Sequence, residues 1–514
     1  MLLRAKFLEL EAEKPIVVLN KNDAEDLGVK PLERVELSFN RKKIVAIVNV
    51  AERIVREGEI GLYEEIQEEL DIKPDEKVSV EAAEPPKSLA FIKKKLEGQA
   101  LQDREIEAII RDTVDHKLSD IEITAFVTSL YNYGMSMNEI ASLSRAITKT
   151  GKTLRLRTKE IYDKHSVGGC PGDKTSILVV PVVAAAGLTI PKTSSRAITS
   201  PAGTADRFEC LAPVDLTLEE VRRVVNKTNG CLVWGGSVDL APADDIFIQI
   251  EYPLSIDPFL LPSVMSKKKA VNAKYVVIDI PTGSESKVST EEEFEALASK
   301  FVELGRKLGM KINCVSTFGE QPIGHAVGPM LEAREALQTI MNPKKGTKDL
   351  IDKATTLAGV LLEFSGVKNG KKEALRILET GRAYRKLREI IEAQGGNPDI
   401  KPDDLVPGPK VAEFRSTCSG SVLWISNKAV DMVAREAGAP KDKEAGMVFR
   451  KKLGDRVRKG DVLFEVYAKK SNKFNRALRL VEKLDIMKIG KERRMELEKF
   501  PVRKEEEKYF ILER

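Results

Sequence analysis

The chain has 514 residues, of which 42% are hydrophobic and 32% charged, and its formal net charge is +5. This length exceeds what one hydrophobic core supports, so several domains are expected. Acidic and basic residues alternate instead of forming a basic stripe, which argues against nucleic-acid binding. No apolar run reaches membrane-spanning length and no signal-peptide pattern is present, so we expect no membrane partner and predict a cytoplasmic location.

The five cysteines stand far apart, and none of them forms a CxxC pair. Histidine is scarce too, with only three in the chain. The spacing therefore indicates neither a zinc site nor a disulfide framework, and we expect no metal site.

The N-terminal residues 1–84 predict a β-rich module. Val17–Leu19 and Ile44–Val48 are apolar runs rich in β-branched residues, which is typical of strands. Asn20–Leu27 predicts one short helix with an asparagine cap. Pro85 and Pro86 then mark a boundary.

A helical region follows, and then a region of mixed pattern. From Ser88 to Thr150 apolar residues recur at helical spacing, which predicts three helices. From Thr153 to about Phe318, strands alternate with helices, an order that indicates a parallel sheet covered by helices. The strand candidates are Leu154–Ile161, Leu188–Pro191, Cys231–Trp234, Tyr275–Ile280 and Ile312–Val315.

The remaining sequence predicts three further parts. Residues from about 328 to 395 are mainly helical, and the proline-containing stretch 401–409 reads as a linker. A β-rich module follows from Val411 to about Ala468. The chain ends in a charged, helix-prone tail.

A first candidate segment, Asp163–Ser176, lies between a predicted strand and a predicted helix. Its glycines let the backbone turn tightly and bring N–H groups close to an anion, and the following helix adds its positive end. Lys164 and Lys174 bring charge, and hydroxyl groups come from Ser166, Thr175 and Ser176. The alternative is a turn with polar residues placed by chance. Neither the Walker A pattern nor the dinucleotide-binding GxGxxG pattern can be aligned to it.

A second segment, Thr193–Thr204, follows the next predicted strand. A parallel sheet would bring it to the same carboxyl edge as the first segment, where ligands bind in open α/β sheets. Its six hydroxyl-bearing residues and one arginine suit phosphate oxygens. The alternative interpretation is a solvated Ser/Thr loop.

Two more segments carry candidate residues. The third joins Leu254–Asp257 to Ser263–Lys269, and the fourth is Asp279–Lys287. Taken alone, Asp257 is typical of a helix cap and the lysine run of a solvated helix face. The role of Lys287, after a strand and a glycine turn, stays ambiguous.

Together the four segments resemble the thymidine and pyrimidine-nucleoside phosphorylases, a family related in fold to anthranilate phosphoribosyltransferase. The resemblance runs from about residue 88 to about residue 468. Within this family, the chain resembles the archaeal AMP phosphorylase branch in two features. One is the additional N-terminal module, and the other is the sequence of three stretches, Lys192–Ser200, Val233–Gly236 and Leu240–Asp245.

The resemblance implies an α/β fold class, with a helical domain plus an α/β domain of the nucleoside phosphorylase type. An extra β-rich N-terminal module and an α+β C-terminal module complete it. The expected domains are an N-terminal assembly module (1–84), a helical domain (85–150, completed by about 240–270), a phosphate- and substrate-binding α/β domain (151–405), a C-terminal module (410–470) and a charged helical tail (471–514).

The resemblance also assigns roles to individual residues. Asp257 would be the catalytic proton donor. The substrate- or phosphate-binding residues would be Gly169, Ser195, Arg196, Ala197, Ile198, Thr199, Ser200, Thr204, Ser263 and Lys287. Further phosphate-binding candidates by the same resemblance are Lys164, Ser166, Ser176 and Ser194.

Two positions depart from the family pattern. The spacing between Asp257 and Ser263 is shorter by two residues, and Glu285 stands where the family usually has a glycine. A carboxylate beside a phosphate site would repel the ligand unless the side chain turns away.

The implied reaction is AMP plus inorganic phosphate giving adenine and ribose 1,5-bisphosphate, with CMP and UMP as further substrates. Such chemistry needs anions held in place and a proton for the leaving base, but no metal and no cofactor. The resemblance also implies a homodimer or a larger homo-oligomer. The alternatives are a thymidine or uridine phosphorylase, an anthranilate-type phosphoribosyltransferase that would need magnesium, and a non-enzymatic scaffold.

Overall fold

The computed structural model describes residues 1–12, 14–197 and 200–490. Within these ranges the chain forms an N-terminal barrel, a helical domain, an α/β domain and a C-terminal module. No helix of the described ranges is long and apolar enough to cross a membrane.

The N-terminal module is a closed six-stranded barrel with strand order β1-β5-β2-β4-β3-β6. Side chains alternate along β1, so that Leu3 and Ala5 lie in the barrel core while Leu2 is exposed. The predicted short helix is confirmed, and the side chain of Asn20 caps it by accepting a hydrogen bond from the Asn22 N–H (3.0 Å). The elements are β1 (Leu2–Phe7), β2 (Ile16–Asn20), α1 (Lys21–Leu27), β3 (Arg34–Phe39), β4 (Lys42–Ala51), β5 (Glu59–Leu62), α2 (Glu64–Leu70) and β6 (Lys77–Ala82).

The helical domain begins with four helices, and not with the three that the sequence pattern predicted. The chain breaks at Gly98, which has a positive φ of 77°, and this break separates α3 from α4. Capping boxes start the last two helices, with Ser119 opposite Glu122 and Ser136 opposite Glu139. The helices are α3 (Ser88–Leu96), α4 (Asp103–Val114), α5 (Asp120–Tyr133) and α6 (Met137–Thr150).

The α/β domain contains the predicted parallel sheet. The order β11-β10-β7 continues into β8-β9 through a parallel bridge between Ile161 and Thr189. The central strand β10 is buried along almost its whole length, as its continuous apolar run requires. Its elements are β7 (Tyr162–Ser166), α7 (Ser176–Ala185), β8 (Ile190–Ser194), α8 (Thr204–Phe208), α9 (Leu218–Thr228), β9 (Gly230–Trp234), α10 (Pro242–Leu254), α11 (Leu260–Ala270), β10 (Tyr275–Thr282), α12 (Glu291–Leu308), β11 (Lys311–Phe318), β12 (Ala326–Val327), α13 (Pro329–Met341), α14 (Lys348–Phe364), α15 (Gly370–Glu379) and α16 (Arg382–Ala393).

The first predicted strand of this domain is wrong in position. The stretch Leu154–Ile161 forms no strand, and β7 begins only at Tyr162. Leu154 is buried, but the charged residues that follow it stay at the surface, so only Ile161 reaches the sheet.

Helix α10 returns to the helical domain. Its Phe247 stacks on Phe259 with ring centroids 4.2 Å apart, and both rings contact Phe126 of α5. All three rings are buried. The chain therefore crosses between the two domains on either side of this helix, and the turn 255–259 lies at the junction.

The C-terminal module has two antiparallel sheets. One of them, β12-β15-β17-β13, includes β12 from the α/β domain, and the other is β16-β14-β18. Helix α18 packs on α17 and β18 pairs with β14, so this module continues through Gly490, beyond the boundary expected near residue 470. The rest of the expected tail, 491–514, lies outside the described residues. The elements are β13 (Lys410–Arg415), β14 (Gly420–Ile425), α17 (Asn427–Ala437), β15 (Gly446–Phe449), β16 (Arg456–Val457), β17 (Val462–Ala468), α18 (Ser471–Val481) and β18 (Met487–Gly490).

Candidate active site

The loops that follow β7, β8 and β10 lie at one edge of the sheet, because parallel strands end on the same side. The first and fourth segments touch there. A Cβ atom added to Gly169 would lie 2.8 Å from the backbone nitrogen of Lys287, and Gly169 has a φ of +89°. Only glycine fits such a position, since both the positive φ and the close backbone exclude a side chain.

Lys287 joins this turn to the third segment. Its Nζ lies 2.8 Å from Oδ2 of Asp257, and both side chains are about half exposed, at 45% and 44%. Asp257 stands on the turn between α10 and α11, at the junction with the helical domain. The structure therefore brings together three residues that the sequence singled out, namely Gly169, Lys287 and Asp257.

Ser263 lies one helical turn further on. It is half-buried in α11, and its Oγ is 3.5 Å from Nζ of Lys267. Lys267 in turn lies 2.6 Å from the buried carboxylate of Asp244. Burial opposes the charge on Lys267, but Asp244 raises the pKa of the ammonium above its ordinary value.

The interpretation of Lys267–Lys269 as a solvated helix face is wrong for Lys268. This side chain is 1% exposed, and its Nζ lies 2.7 Å from Oδ2 of Asp163 on β7. A buried lysine needs such a carboxylate, because an unpaired charge in the protein interior is costly. The lysine run therefore connects α11 to β7, whose last four residues begin the first segment.

A network of buried charges lies under the first segment. Nζ of Lys164 is 3.4 Å from Asp173 and 3.7 Å from Asp279, and Lys353 approaches Asp279 to 2.9 Å. Burial opposes ionisation of Asp173, yet Lys164 and Lys353 hold its pKa well below the ordinary value. The contacts of Lys164 are longer than the contact between Lys353 and Asp279, and the Lys164 side chain is only 3% exposed. Sequence reasoning missed Lys353, which lies about 180 residues further along the chain.

The second lysine of the first segment faces the other way. Nζ of Lys174 donates to the carbonyl oxygens of Ile323 and Ala326 and lies 2.6 Å from Glu335, and the side chain is fully buried. The expectation that Lys174 contributes charge to an anion site is therefore wrong. Its partners make it a link between the segment and α13.

Two more basic groups lie below this edge of the sheet. Burial and the nearby Lys268 lower the pKa of His165 and of Lys192 well below their ordinary values. Lys192 lies on β8, and its Nζ donates to the Thr193 carbonyl (2.7 Å). Sequence reasoning missed Lys192, although its place just before the hydroxyl-rich loop was a usable signal.

Arg196 of the second segment is held by carboxylates. Its guanidinium donates to Glu209 at 2.8 and 2.9 Å and to Asp215 at 2.9 Å, and it lies over the ring of Trp234. Hydrogen bonds from Arg196 lower the pKa of Glu209 to about 2. In this arrangement the carboxylates of Glu209 and Asp215 occupy the guanidinium, which does not point free at a ligand.

Asp206 accepts hydrogen bonds from the backbone at two positions within the second segment. The Ala197 N–H donates to its carboxylate (2.7 Å), and so does the N–H of Gly203 (2.8 Å). Among the described candidates with hydroxyl groups, Ser195 is exposed, whereas Ser200 and Thr204 are partly buried. Two further candidates, Ile198 and Thr199, lie outside the described residues.

A buried carboxyl group next to Asp257 was also missed by sequence reasoning. Glu251 on α10 accepts a hydrogen bond from the Phe259 N–H (3.0 Å). Burial raises its pKa to about 8, and the negative charge of Asp257 contributes in the same direction. At neutral pH Glu251 is therefore protonated.

Glu285 turns away from the site. Both of its carboxylate oxygens accept from the Ser426 hydroxyl at 3.0 Å, and Oε2 also accepts from the Lys428 N–H at 2.9 Å. The charge thus points to the C-terminal module, which removes the expected conflict with a phosphate ligand.

Comparison with known proteins covers nearly the whole chain. The helical bundle domain and the a/b domain of the glycosyl transferase family match residues 89–151 and 158–384, and the pyrimidine nucleoside phosphorylase C-terminal domain matches residues 422–486. An anthranilate phosphoribosyltransferase crystal structure from Thermus thermophilus aligns with a TM-score of 0.49 and 20% identity, covering 59% of this chain and 98% of that chain.

Two curated relatives are similar from end to end. The AMP phosphorylase of Thermofilum pendens is 49% identical over 501 residues, which is 97% of this chain and 98% of that protein. The AMP phosphorylase of Thermococcus kodakarensis is 48% identical over 491 residues, which is 95% of this chain and 97% of that protein. With this identity over nearly the full length of both relatives, the chain belongs to the AMP phosphorylase family.

Proposed function

We propose that the chain transfers the 5-phosphoribosyl group of AMP to inorganic phosphate, which releases adenine and forms ribose 1,5-bisphosphate. The observation that supports this most directly is the junction of Gly169, Lys287 and Asp257. There a glycine turn suited to an anion meets a cation and a carboxyl group. The names of the curated relatives support the same activity.

The reaction asks little covalent chemistry of the protein. An oxygen of phosphate forms a bond to C1′ of the ribose while the bond from C1′ to the base nitrogen breaks. The transition state has oxocarbenium character, and negative charge builds up on the leaving base. Preorganised cations and N–H groups stabilise the anions, and a general acid protonates the base.

Lys164 and the glycine-rich turn of the first segment would hold the attacking phosphate, and Lys287 would bind the nucleotide. Asp257 would protonate the leaving base. In the present arrangement Lys287 lies against one oxygen of Asp257, so a substrate that enters between them would separate the pair. The carboxyl group of Asp257 would then face the leaving base as its general acid.

The test is a substrate panel. AMP, CMP, UMP, adenosine and thymidine are incubated with phosphate, and the released base is measured. We expect the three nucleotides to react much faster than the nucleosides, because the hydroxyls of the second segment suit a 5′-phosphate. Equal rates for AMP and adenosine would contradict the proposal. A strict need for magnesium and phosphoribosyl pyrophosphate would favour a phosphoribosyltransferase instead.

We also propose that the enzyme is a cytoplasmic homo-oligomer that accepts CMP and UMP as well as AMP. The support for a cytoplasmic enzyme is that its nucleotide substrates are intracellular metabolites. Light scattering on the purified protein gives the number of subunits directly, and a monomer would contradict the assembly part.

A further inference from the structure

The loop that carries Lys287 is tied to the C-terminal module by a carboxylate. Glu285, two residues before Lys287, accepts from the hydroxyl of Ser426 with both oxygens (3.0 Å each) and from the backbone N–H of Lys428 (2.9 Å). The single hydroxyl proton of Ser426 is shared between the two oxygens, so the carboxylate accepts two hydrogen bonds, and these are of the stronger, charge-assisted kind.

The partner of this carboxylate is the start of a helix. Ser426 is the N-cap of the 11-residue helix α17, and its Oγ also accepts from the Ala429 N–H (3.1 Å). The first turn of a helix favours negative charge, so Glu285 occupies a favourable place there. Next to it, the side chain of Asn427 donates to the Gly319 carbonyl (2.7 Å), which attaches the helix to the end of β11 as well.

The same loop reaches the candidate site on its other side. Ser286 Oγ donates to the Gly319 carbonyl (3.2 Å), and the backbone of Lys287 lies against Gly169. The Lys287 ammonium then contacts Asp257. Because Lys287 is only two residues after Glu285, a movement of the loop at Glu285 would also displace the Lys287 ammonium.

We propose that Glu285 is a positioning residue, which fixes Lys287 in the active site by tying its loop to helix α17. The C-terminal module thereby supports one wall of the site. The inference rests on the proposed function only in the assumption that Lys287 binds the nucleotide.

Losing this contact would free the loop without detaching the module. The module has its own core, and β15 pairs with β12 of the α/β domain. In addition, Nζ of Lys452 donates to the carbonyl oxygens of Pro322 and Gly324. The effect of Glu285 on Lys287 can therefore be separated from general stability.

The kinetic test compares Glu285→Ala, Glu285→Gln, Ser426→Ala and the double variant Glu285→Ala/Ser426→Ala. Thr217→Ala is the matched control, because Thr217 caps α9 in the same way but lies outside this loop. We expect Glu285→Ala to lower kcat/KM for the nucleotide about 10-fold, since small displacements of a binding group are costly. Glu285→Gln, which keeps one acceptor oxygen, should lose less activity.

The pattern of the kinetic constants distinguishes positioning from simple instability. Loss of folded enzyme lowers kcat and leaves both KM values unchanged, whereas a displaced Lys287 raises the KM for the nucleotide more than that for phosphate. In its nucleotide KM the double variant should be no worse than Glu285→Ala alone, because Ser426→Ala acts on the Lys287 loop through the same contact, while its loss of the α17 cap affects stability. Additive effects, or a nucleotide KM that stays unchanged in Glu285→Ala, would overturn the proposal.

Hydrogen exchange tests the tie without any substrate. Peptides that cover residues 283–288 should exchange faster in Glu285→Ala than in the native protein, and at the native rate in Thr217→Ala. If these peptides exchange at the native rate in Glu285→Ala, the contact between Glu285 and α17 does not hold the loop, even if the enzyme is active. If exchange is faster in Glu285→Ala but the native protein does not cleave AMP, the contact of Glu285 with α17 is supported and only the proposed function is contradicted.

Discussion

At the scale of single residues, two neighbouring carboxyl groups have opposite surroundings. Asp257 is half exposed and paired with Lys287, whereas Glu251 is buried and has a pKa raised to about 8. Two neighbouring carboxyl groups in such different environments are typical of sites that carry out acid–base catalysis. The exposed member can meet a substrate, whereas burial disfavours a second negative charge on Glu251 beside it.

Replacing Asp257 by asparagine tests its proposed role as the proton donor. The variant keeps the shape of the side chain but has no proton to give, so we expect kcat to fall by about 10²–10⁴-fold with a smaller change in KM. Asp239→Asn serves as the control, because Asp239 is an exposed partner of Lys152. A variant with the native rate would return Asp257 to the role of a turn residue.

Glu251 predicts a pH effect on stability. Between about pH 4.5, the ordinary value, and about 8, this carboxyl is ionised in the unfolded chain but protonated in the folded protein. Folding therefore takes up a proton, and the stability contribution of Glu251 falls as pH rises through that window. Glu251→Gln removes this dependence and can keep the hydrogen bond from Phe259.

The expected readout is a difference in Tm between Glu251→Gln and the native protein that grows with pH. Relative to the native protein, the variant should gain at least about 1 kcal/mol, or roughly 1 °C for a chain of this length, between pH 5 and pH 9. The exposed change Glu413→Gln should show no such trend. A Tm difference independent of pH would mean that Glu251 ionises normally in the folded protein.

At the scale of elements, the turn after β7 offers a matched pair of glycines. Gly168 and Gly169 have φ values of 83° and 89°, but a Cβ on Gly168 meets open space and one on Gly169 meets the backbone of Lys287. Alanine at either position costs about 1–2 kcal/mol for the left-handed backbone. Only Gly169→Ala must also move Lys287.

We therefore expect both alanine variants to lose similar stability, while kcat/KM for AMP is at least about 10-fold lower in Gly169→Ala than in Gly168→Ala. Melting curves and steady-state kinetics on the two purified variants measure the two quantities. Equal activity would show that the contact between the first and fourth segments is not needed for catalysis.

The elements themselves were largely predictable from the sequence, because alternation of strands and helices is a local signal. Side-chain partners were not. Lys174 and Lys268 look alike in the sequence, yet they pair with Glu335 and Asp163, which lie 161 and 105 residues away. Charge type can be read from a sequence, but the direction of a buried side chain depends on distant carboxylates that compensate its desolvation. For the same reason, the sequence did not predict that Glu209 and Asp215 bind the guanidinium of Arg196.

At the scale of the whole molecule, the N-terminal barrel is nearly independent of the rest. Its core is closed by its own six strands. Among the described residues, ion pairs of Lys14 with Asp120 and of Arg34 with Glu122 join it to the helical domain. Such polar contacts fit an interface between domains that can each fold alone.

Removal of residues 1–84 should therefore leave a folded enzyme core. The surface uncovered near Asp120 and Glu122 is polar, and Glu122 keeps the hydrogen bonds from the N–H and hydroxyl of Ser119. We expect the truncated protein to retain activity on AMP within about a factor of three, since the site lies in the other domains, and to form a dimer smaller than the native assembly. Light scattering and steady-state kinetics measure both properties. An unchanged large particle would place the assembly contacts outside the barrel, and an unfolded product would show that contacts with the barrel are essential to the helical domain.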